Sequence, residues 1–162
     1  MLKPGENSYV TVEEADEYIT SRCRSKSKDR QRWDGLGQDE KETLLINACA
    51  ELEVLPFRGR KMVPDQPLSF PRLPYQYGRA NEGAPADVKA AQIELALWMS
   101  DEEKLSGRAQ RAELRAQGVT SAGIGGLSES YDASAGGAQT ALVCPKAKAL
   151  LAKYLSGGYA MC

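Results

Sequence analysis

The chain has 162 residues, 42 % hydrophobic and 27 % charged, with a formal net charge of −1. This is the make-up of an ordinary soluble globular domain, long enough for a sizeable core and short for a two-lobed enzyme. There is no histidine, which removes the commonest general base, the commonest metal ligand and every Ser/His or Cys/His nucleophile pair, and so weighs against hydrolytic enzymes.

No run of about 18 apolar residues offers a membrane span, and Met1-Leu2-Lys3-Pro4-Gly5-Glu6 lacks the apolar core of a signal peptide. A cytoplasmic protein without membrane contact is expected. Cys23, Cys49, Cys144 and Cys162 are scattered with no CxxC pair, so reduced, mostly buried thiols are expected rather than a zinc site or a disulfide framework.

Residues 1–10 read as an extended lead-in, after which Thr11-Val12-Glu13-Glu14 has the form of a capping box. The helix it opens carries Val12, Ala15, Ile19 and Cys23 at helical spacing with Tyr18 beside them. Glu13, Glu14, Asp16 and Glu17 fall in its first turns, where the helix dipole accounts for them without catalysis. Residues 22–32 carry six basic side chains against one acid, and Trp33-Asp34-Gly35-Leu36-Gly37 reads as a turn. A second helix is expected from Asp39, with Glu42 closing a capping box, through Leu45, Ala48, Cys49 and Leu52 to Leu55, where Pro56 stops it.

Between Phe57 and Pro85 prolines stand at 64, 67, 71, 74 and 85, among the aromatics Phe70, Tyr75 and Tyr77 and the cations Arg58, Arg60, Lys61, Arg72 and Arg79. A long ordered loop follows from this, serving either partner contact or packing over the helices. Pro85 suits the first turn of a third helix whose face is Val88, Ala91, Leu95, Trp98 and Met99, widened by Ile93, Ala96 and Leu97. So apolar a helix belongs at the centre of a bundle. Asp101-Glu102-Glu103-Lys104 opens a polar segment, and 107–117 has good helix formers but few apolar positions.

Residues 118–135 are rich in Gly and Ser and weakly strand-like, inside a chain otherwise helical. Short strands flanking Gly125-Gly126 make a hairpin, and its open edges call for cover or for another chain. After Gly136-Gly137 a last helix is expected from Pro145, carrying Ala149, Leu150, Leu151, Tyr154 and Leu155 and stopped by Gly157-Gly158, with a tail of Tyr159, Ala160, Met161 and Cys162. The fold class is thus mainly α: a small helical bundle with a long Pro-rich loop and a short β-hairpin or arm before the C-terminal helix.

Three chemical candidates carry little weight. Asp101, Glu102 and Glu103 are consecutive, so on a helix they point apart, and no second carboxylate motif accompanies them. Gly123-Ile124-Gly125-Gly126 lacks both the Lys-Ser/Thr of a P-loop and the strand-to-helix setting. The basic run can meet phosphates, but Trp33 is the only aromatic beside it and no nucleic-acid motif is present. No catalytic residue, cofactor or metal is expected, and the protein is not read as an enzyme.

The order of landmarks carries a family resemblance. Ser8-Tyr9-Val10-Thr11-Val12-Glu13-Glu14-Ala15-Asp16-Glu17-Tyr18 is followed by Trp33, by a Leu-rich helix into Phe57-Arg58-Gly59-Arg60-Lys61, and by Leu68-Ser69-Phe70-Pro71-Arg72. Ala86-Asp87-Val88-Lys89 then opens a helix with Ile93-Glu94-Leu95-Ala96, and Leu150-Leu151-Ala152-Lys153-Tyr154-Leu155 comes near the end. This order resembles the head-to-tail adaptor (head-completion, connector) family of long-tailed bacteriophages, whose members often carry the label of DnaT-like single-stranded DNA-binding proteins. Phe70 stands where that family has Trp, and 118–135 is richer in glycine than the family's usual strand.

The resemblance implies one adaptor domain over 1–162, with a β-like arm at 118–135 and the C-terminal helix and tail at 141–162. It implies a virion protein of the phage neck, assembled in the host cytoplasm as a homo-oligomeric, dodecameric ring. The partners would be the portal protein above and the tail or a second neck protein below, with double-stranded DNA passing through the channel. A ring is a heterologous assembly needing two complementary surfaces on each subunit. The expected subunit and portal contacts are Phe70 and Arg72 in the loop, Val119, Ile124, Leu127 and Tyr131 in the arm, and Tyr154, Leu155 and Tyr159 at the C-terminal end. The rival reading is a single-stranded DNA-binding replication protein, in which the basic run, Trp33, Tyr75 and Tyr77 track the strand.

Overall fold

The computed structural model describes residues 1–73, 83–107, 121–124, 127–130, 142 and 144–156. The chain divides into two compact units, Met1–Ser100 with Leu142–Cys162, and Asp101–Ala141.

The first unit is a helical bundle, as the capping signals and helical spacing of apolar residues predict. Its helices are α1 (Val12–Arg22), α2 (Lys28–Asp34), α3 (Gln38–Glu53), α4 (Ala86–Met99) and α5 (Pro145–Leu151), the last running into a 3₁₀ turn at Ala152–Tyr154. The expected continuous helix to Leu155 therefore ends early, and Leu155 instead bridges to Phe57 as extended backbone. Helix α4 lies in the middle, touching α1, α2, α3 and α5, which is why Val88, Ala91, Ile93, Leu95, Ala96 and Leu97 are all buried.

Local capping chemistry sets the helix starts. Thr11 Oγ1 accepts from Glu14 N at 3.2 Å while Glu14 Oε2 accepts from Thr11 N at 2.9 Å, the capping box its spacing predicts. At α3 the box is displaced from the expected Asp39/Glu42 pair. Gly37 is the N-cap, and Glu40 reaches back to accept from its N–H at 2.8 Å. Glu42 is drawn away because it accepts from Leu2 N at 2.7 Å, tying the lead-in to α3.

The expected turn at 33–37 is corrected too: Ser27 caps a short helix, α2, that carries Trp33 into the core with no exposed surface. Trp33 Nε1 donates to Asp16 Oδ1 at 2.6 Å, and Lys41 Nζ donates to the same oxygen at 3.0 Å. A buried indole N–H needs such a partner.

A polar lock joins three elements at the bundle centre. Gln92 of α4 is fully buried; its Oε1 accepts from Tyr9 N at 2.9 Å, and its Nε2 donates to Ser8 Oγ and to Leu45 O, both at 2.8 Å. Nearby, Phe70 packs edge-on against Phe57, Tyr154 and Tyr9, with ring centroids 4.9, 5.5 and 6.2 Å away. Glu53 fastens this cluster by accepting the Tyr9 hydroxyl on one oxygen and Ser69 N, at 2.8 Å, on the other. The loop after α3 also contains strands β1 (Arg60–Lys61) and β2 (Arg72–Leu73), antiparallel with Arg60 opposite Leu73 and Lys61 opposite Arg72. Regular structure was not expected there.

The second unit contains helical backbone at 102–107, then β3 (Ser121–Ile124) and β4 (Leu127–Ser130). The strands are antiparallel, Ser121 opposite Ser130 and Ile124 opposite Leu127, so the pairing turns across positions 125–126 where the glycine pair predicts it. Among the described residues this hairpin pairs with no other strand.

Candidate nucleic-acid interface

The basic run begins on the last turn of α1, crosses a short connection, and ends in α2. Helical spacing lets part of it neutralise itself. Arg30 Nε pairs with Asp34 at 2.7 Å and Arg32 Nη1 with Asp29 at 3.3 Å, the four- and three-residue steps that bring side chains together on a helix. Arg22 lays its guanidinium 5.0 Å over the Tyr18 ring. Arg24, Lys26 and Lys28 are exposed and, among the described residues, have no ion-pair partner.

Most other described cations are matched. Lys3, Lys41, Lys89, Lys104, Lys146 and Lys153 each meet a carboxylate. Lys61 donates to the carbonyls of Gln66 and Pro67, and Arg72 to those of Phe57, Arg58, Gly59 and Ser69. Unpartnered positive charge therefore gathers on the α1–α2 turn, with a smaller share at Arg58 and Arg60. Such a turn attracts phosphates in proportion to the counterions they release.

Next to this turn α1 and α4 leave a groove of about 300 Å³. Glu14, Tyr18 and Arg22 line it from one face of α1, and Ala86, Lys89, Ala90 and Ile93 from α4. Tyr18 is held in place because its hydroxyl donates to Glu94 Oε1 at 3.2 Å, and Glu94 is itself paired with Lys146 Nζ at 3.1 Å. Burial first, and then the Glu94 charge, push the Tyr18 phenol up to about 12. The hydrogen bond to Glu94 likewise raises Lys146 above the usual lysine range. At the rim burial tends to raise Glu14, but the Lys89 and Thr11 hydrogen bonds outweigh it and leave the carboxyl below its ordinary value.

The residues expected to face neighbouring subunits fall into three groups. Phe70, Tyr154 and Leu155 are buried at 7, 4 and 2 % exposure, Phe70 and Tyr154 against this chain's own aromatic rings and Leu155 within the core. Arg72 is half-buried, spending its guanidinium on the four carbonyls that close the β1–β2 loop. Ile124 and Leu127 are the last cross-strand pair of the hairpin. Val119, Tyr131 and Tyr159 lie outside the described residues, as do Tyr75 and Tyr77 of the strand-tracking alternative. Trp33 is removed from that alternative, since a ring with no exposed surface cannot stack on a base.

Sequence reasoning missed Gln92, Glu94 and Glu53, each a polar side chain whose partners come from distant segments. A glutamine and a glutamate inside the most apolar helix were the available signal. Among the described residues no group of three metal-binding side chains converges, and no helix is long and apolar enough to cross a membrane.

No curated protein and no solved structure matches the chain significantly. Residues 1–162, its whole length, match the family described as "Putative DnaT-like ssDNA binding protein". That match spans the chain from end to end, and the chain belongs to that family.

Proposed function

We propose that this chain is a structural assembly protein of a tailed-phage neck, forming a homo-oligomeric ring that connects the portal at the capsid vertex to the tail or to the next neck protein. The observation that carries this reading is the division of labour between the units. The helical unit closes its own core, while β3–β4 in the other is a two-stranded sheet with no further strand partner among the described residues. A two-stranded ribbon is marginal alone, and strand addition from a second chain supplies what its edges lack. The ring, its twelve subunits, the portal partner and the virion location come from the family resemblance; double-stranded DNA crosses the channel without sequence-specific contact.

The test is light-scattering mass of the purified protein, alone and with a portal protein of the same genome, at low and moderate salt. A ring-sized species or a stable portal complex is expected. Deleting residues 119–133 is expected to leave far-UV circular dichroism and cooperative unfolding of the helical unit intact while abolishing that assembly. Loss of the fold on deletion would refute the arm.

A second reading, binding of single-stranded DNA, is favoured by the family's description and by the exposed Arg24, Lys26 and Lys28. Replacing all three by serine then removes about three phosphate contacts and lowers the slope of log K against log salt by about 2. Under the assembly reading the same variant still forms the ring.

A further inference from the structure

The groove between α1 and α4 combines features that the basic turn alone does not have. Its apolar walls are Val10, Ala90, Ile93 and Leu150, and the half-buried Tyr18 ring stands among them with its hydroxyl fixed by Glu94. Glu14, Tyr18 and Arg22 follow one another at four-residue steps along α1, so Arg22 lies at the end of the groove nearest Arg24. The acids at the rim are compensated: Glu14 meets Lys89 Nζ at 2.8 Å, and Asp87 meets Lys153. Among the described residues the exposed Glu13 and Glu17 of α1 have no ion pair, and Arg24, Lys26 and Lys28 on the adjoining turn outnumber them, so the balance of unmatched charge is positive.

We propose that this groove seats one base of a single nucleic-acid strand, with the flanking phosphates on Arg22 and Arg24. The proposal rests on the single-strand reading above and deepens it by assigning a base site. A volume of about 300 Å³ is at the lower end of ordinary ligand pockets. A flat base matches an anchored aromatic ring, and stacking on such rings is tolerant of sequence. The Arg22 guanidinium over Tyr18 adds a second π-facing surface that also carries charge. Each nucleotide brings one negative charge to a turn whose Arg24, Lys26 and Lys28 have no ion-pair partner among the described residues. A neutral peptide would leave them unmatched.

Fluorescence anisotropy with a labelled oligothymidylate and with an abasic strand of equal length separates bases from phosphates. The unsubstituted protein is expected to bind the strand with bases about tenfold tighter or more. Ala86→Trp, made from an exposed position at the start of α4, fills the groove. It is expected to bring the two affinities together without changing the salt slope, and Tyr18→Leu should do the same with the fold verified by circular dichroism. Equal binding of both strands by the unsubstituted protein, or a preference surviving Ala86→Trp, would overturn the base site while leaving strand binding in place. Absence of binding to either strand at low salt would overturn strand binding and the base site together. Competition by free thymidine monophosphate at equal base concentration would overturn the strand as occupant.

Discussion

Replacing Gln92 by leucine tests whether the polar lock at the bundle centre holds the lead-in against α3 and α4. The two side chains are similar in size, so the cavity is small and the loss is chiefly of hydrogen bonds. Tyr9 N–H loses its acceptor at 2.9 Å and stays buried without one, at about 1–3 kcal/mol. The bonds to Ser8 Oγ and Leu45 O each contribute about 1 kcal/mol, and neither atom is orphaned: Ser8 Oγ still donates to Val10 O at 2.7 Å, and Leu45 lies within α3. Part of this is offset by burying an apolar side chain in place of an amide, giving a net loss of about 2–4 kcal/mol, a large share of a typical domain's 5–15 kcal/mol.

Urea unfolding followed by far-UV circular dichroism is the assay, with an unchanged m-value showing that stability alone has shifted. Ser8→Ala leaves the Tyr9 bond in place but takes the acceptor from one Gln92 Nε2 proton and from Val10 N, and is expected to cost about 1–3 kcal/mol. Gln92→Glu should cost more than leucine at neutral pH, because one carboxylate oxygen faces the Leu45 carbonyl. Its penalty should shrink as pH falls and the carboxyl protonates. A loss below about 1 kcal/mol for Gln92→Leu would show that the lead-in is held by apolar contacts and refute the lock.

Three further outcomes are expected. Phe70→Ala should destabilise the bundle by about 3–5 kcal/mol, as for a large buried aromatic, measured by the same urea titration; a stable variant that fails only in assembly would return Phe70 to an interface role. Cys49, whose thiol burial and then Glu53 push up to about 12, and the buried Cys144 should resist alkylation until the chain unfolds, whereas half-buried Cys23 reacts before either of them; equal rates at these three by mass spectrometry under native conditions would contradict the packing. The phenols of Tyr9 and Tyr18, both raised chiefly by burial, and the ammonium of Lys146, raised by Glu94, share one sign. The stability they contribute is complete below about pH 10 and lost as pH rises through their folded values, so urea midpoints should fall above about pH 10, with the largely exposed Lys146 contributing least. Midpoints that stay level there would count against these burials.

What could be read from the chain alone was whatever neighbouring residues decide. The Thr11/Glu14 box, the buried face of α4, the start of α5 at Pro145 and the hairpin across 125–126 each depend on groups a few positions apart, and each lies where its spacing predicts. The basic turn was legible as charge, but not which of its cations are spent: that depends on Asp29 and Asp34 lying on the same helix face as Arg32 and Arg30. Tertiary structure alone decided the rest. Glu42 is pulled from capping by Leu2, Trp33 is drawn inward by Asp16, and Phe70 is enclosed by Tyr9, Phe57 and Tyr154, partners from 13 to 84 positions away in the case of Phe70. Gln92, Glu94 and Glu53 sit inside the protein because distant segments bring them the donors and acceptors that make burial of a polar group tolerable, and no local pattern announces a partner that arrives from elsewhere in the chain.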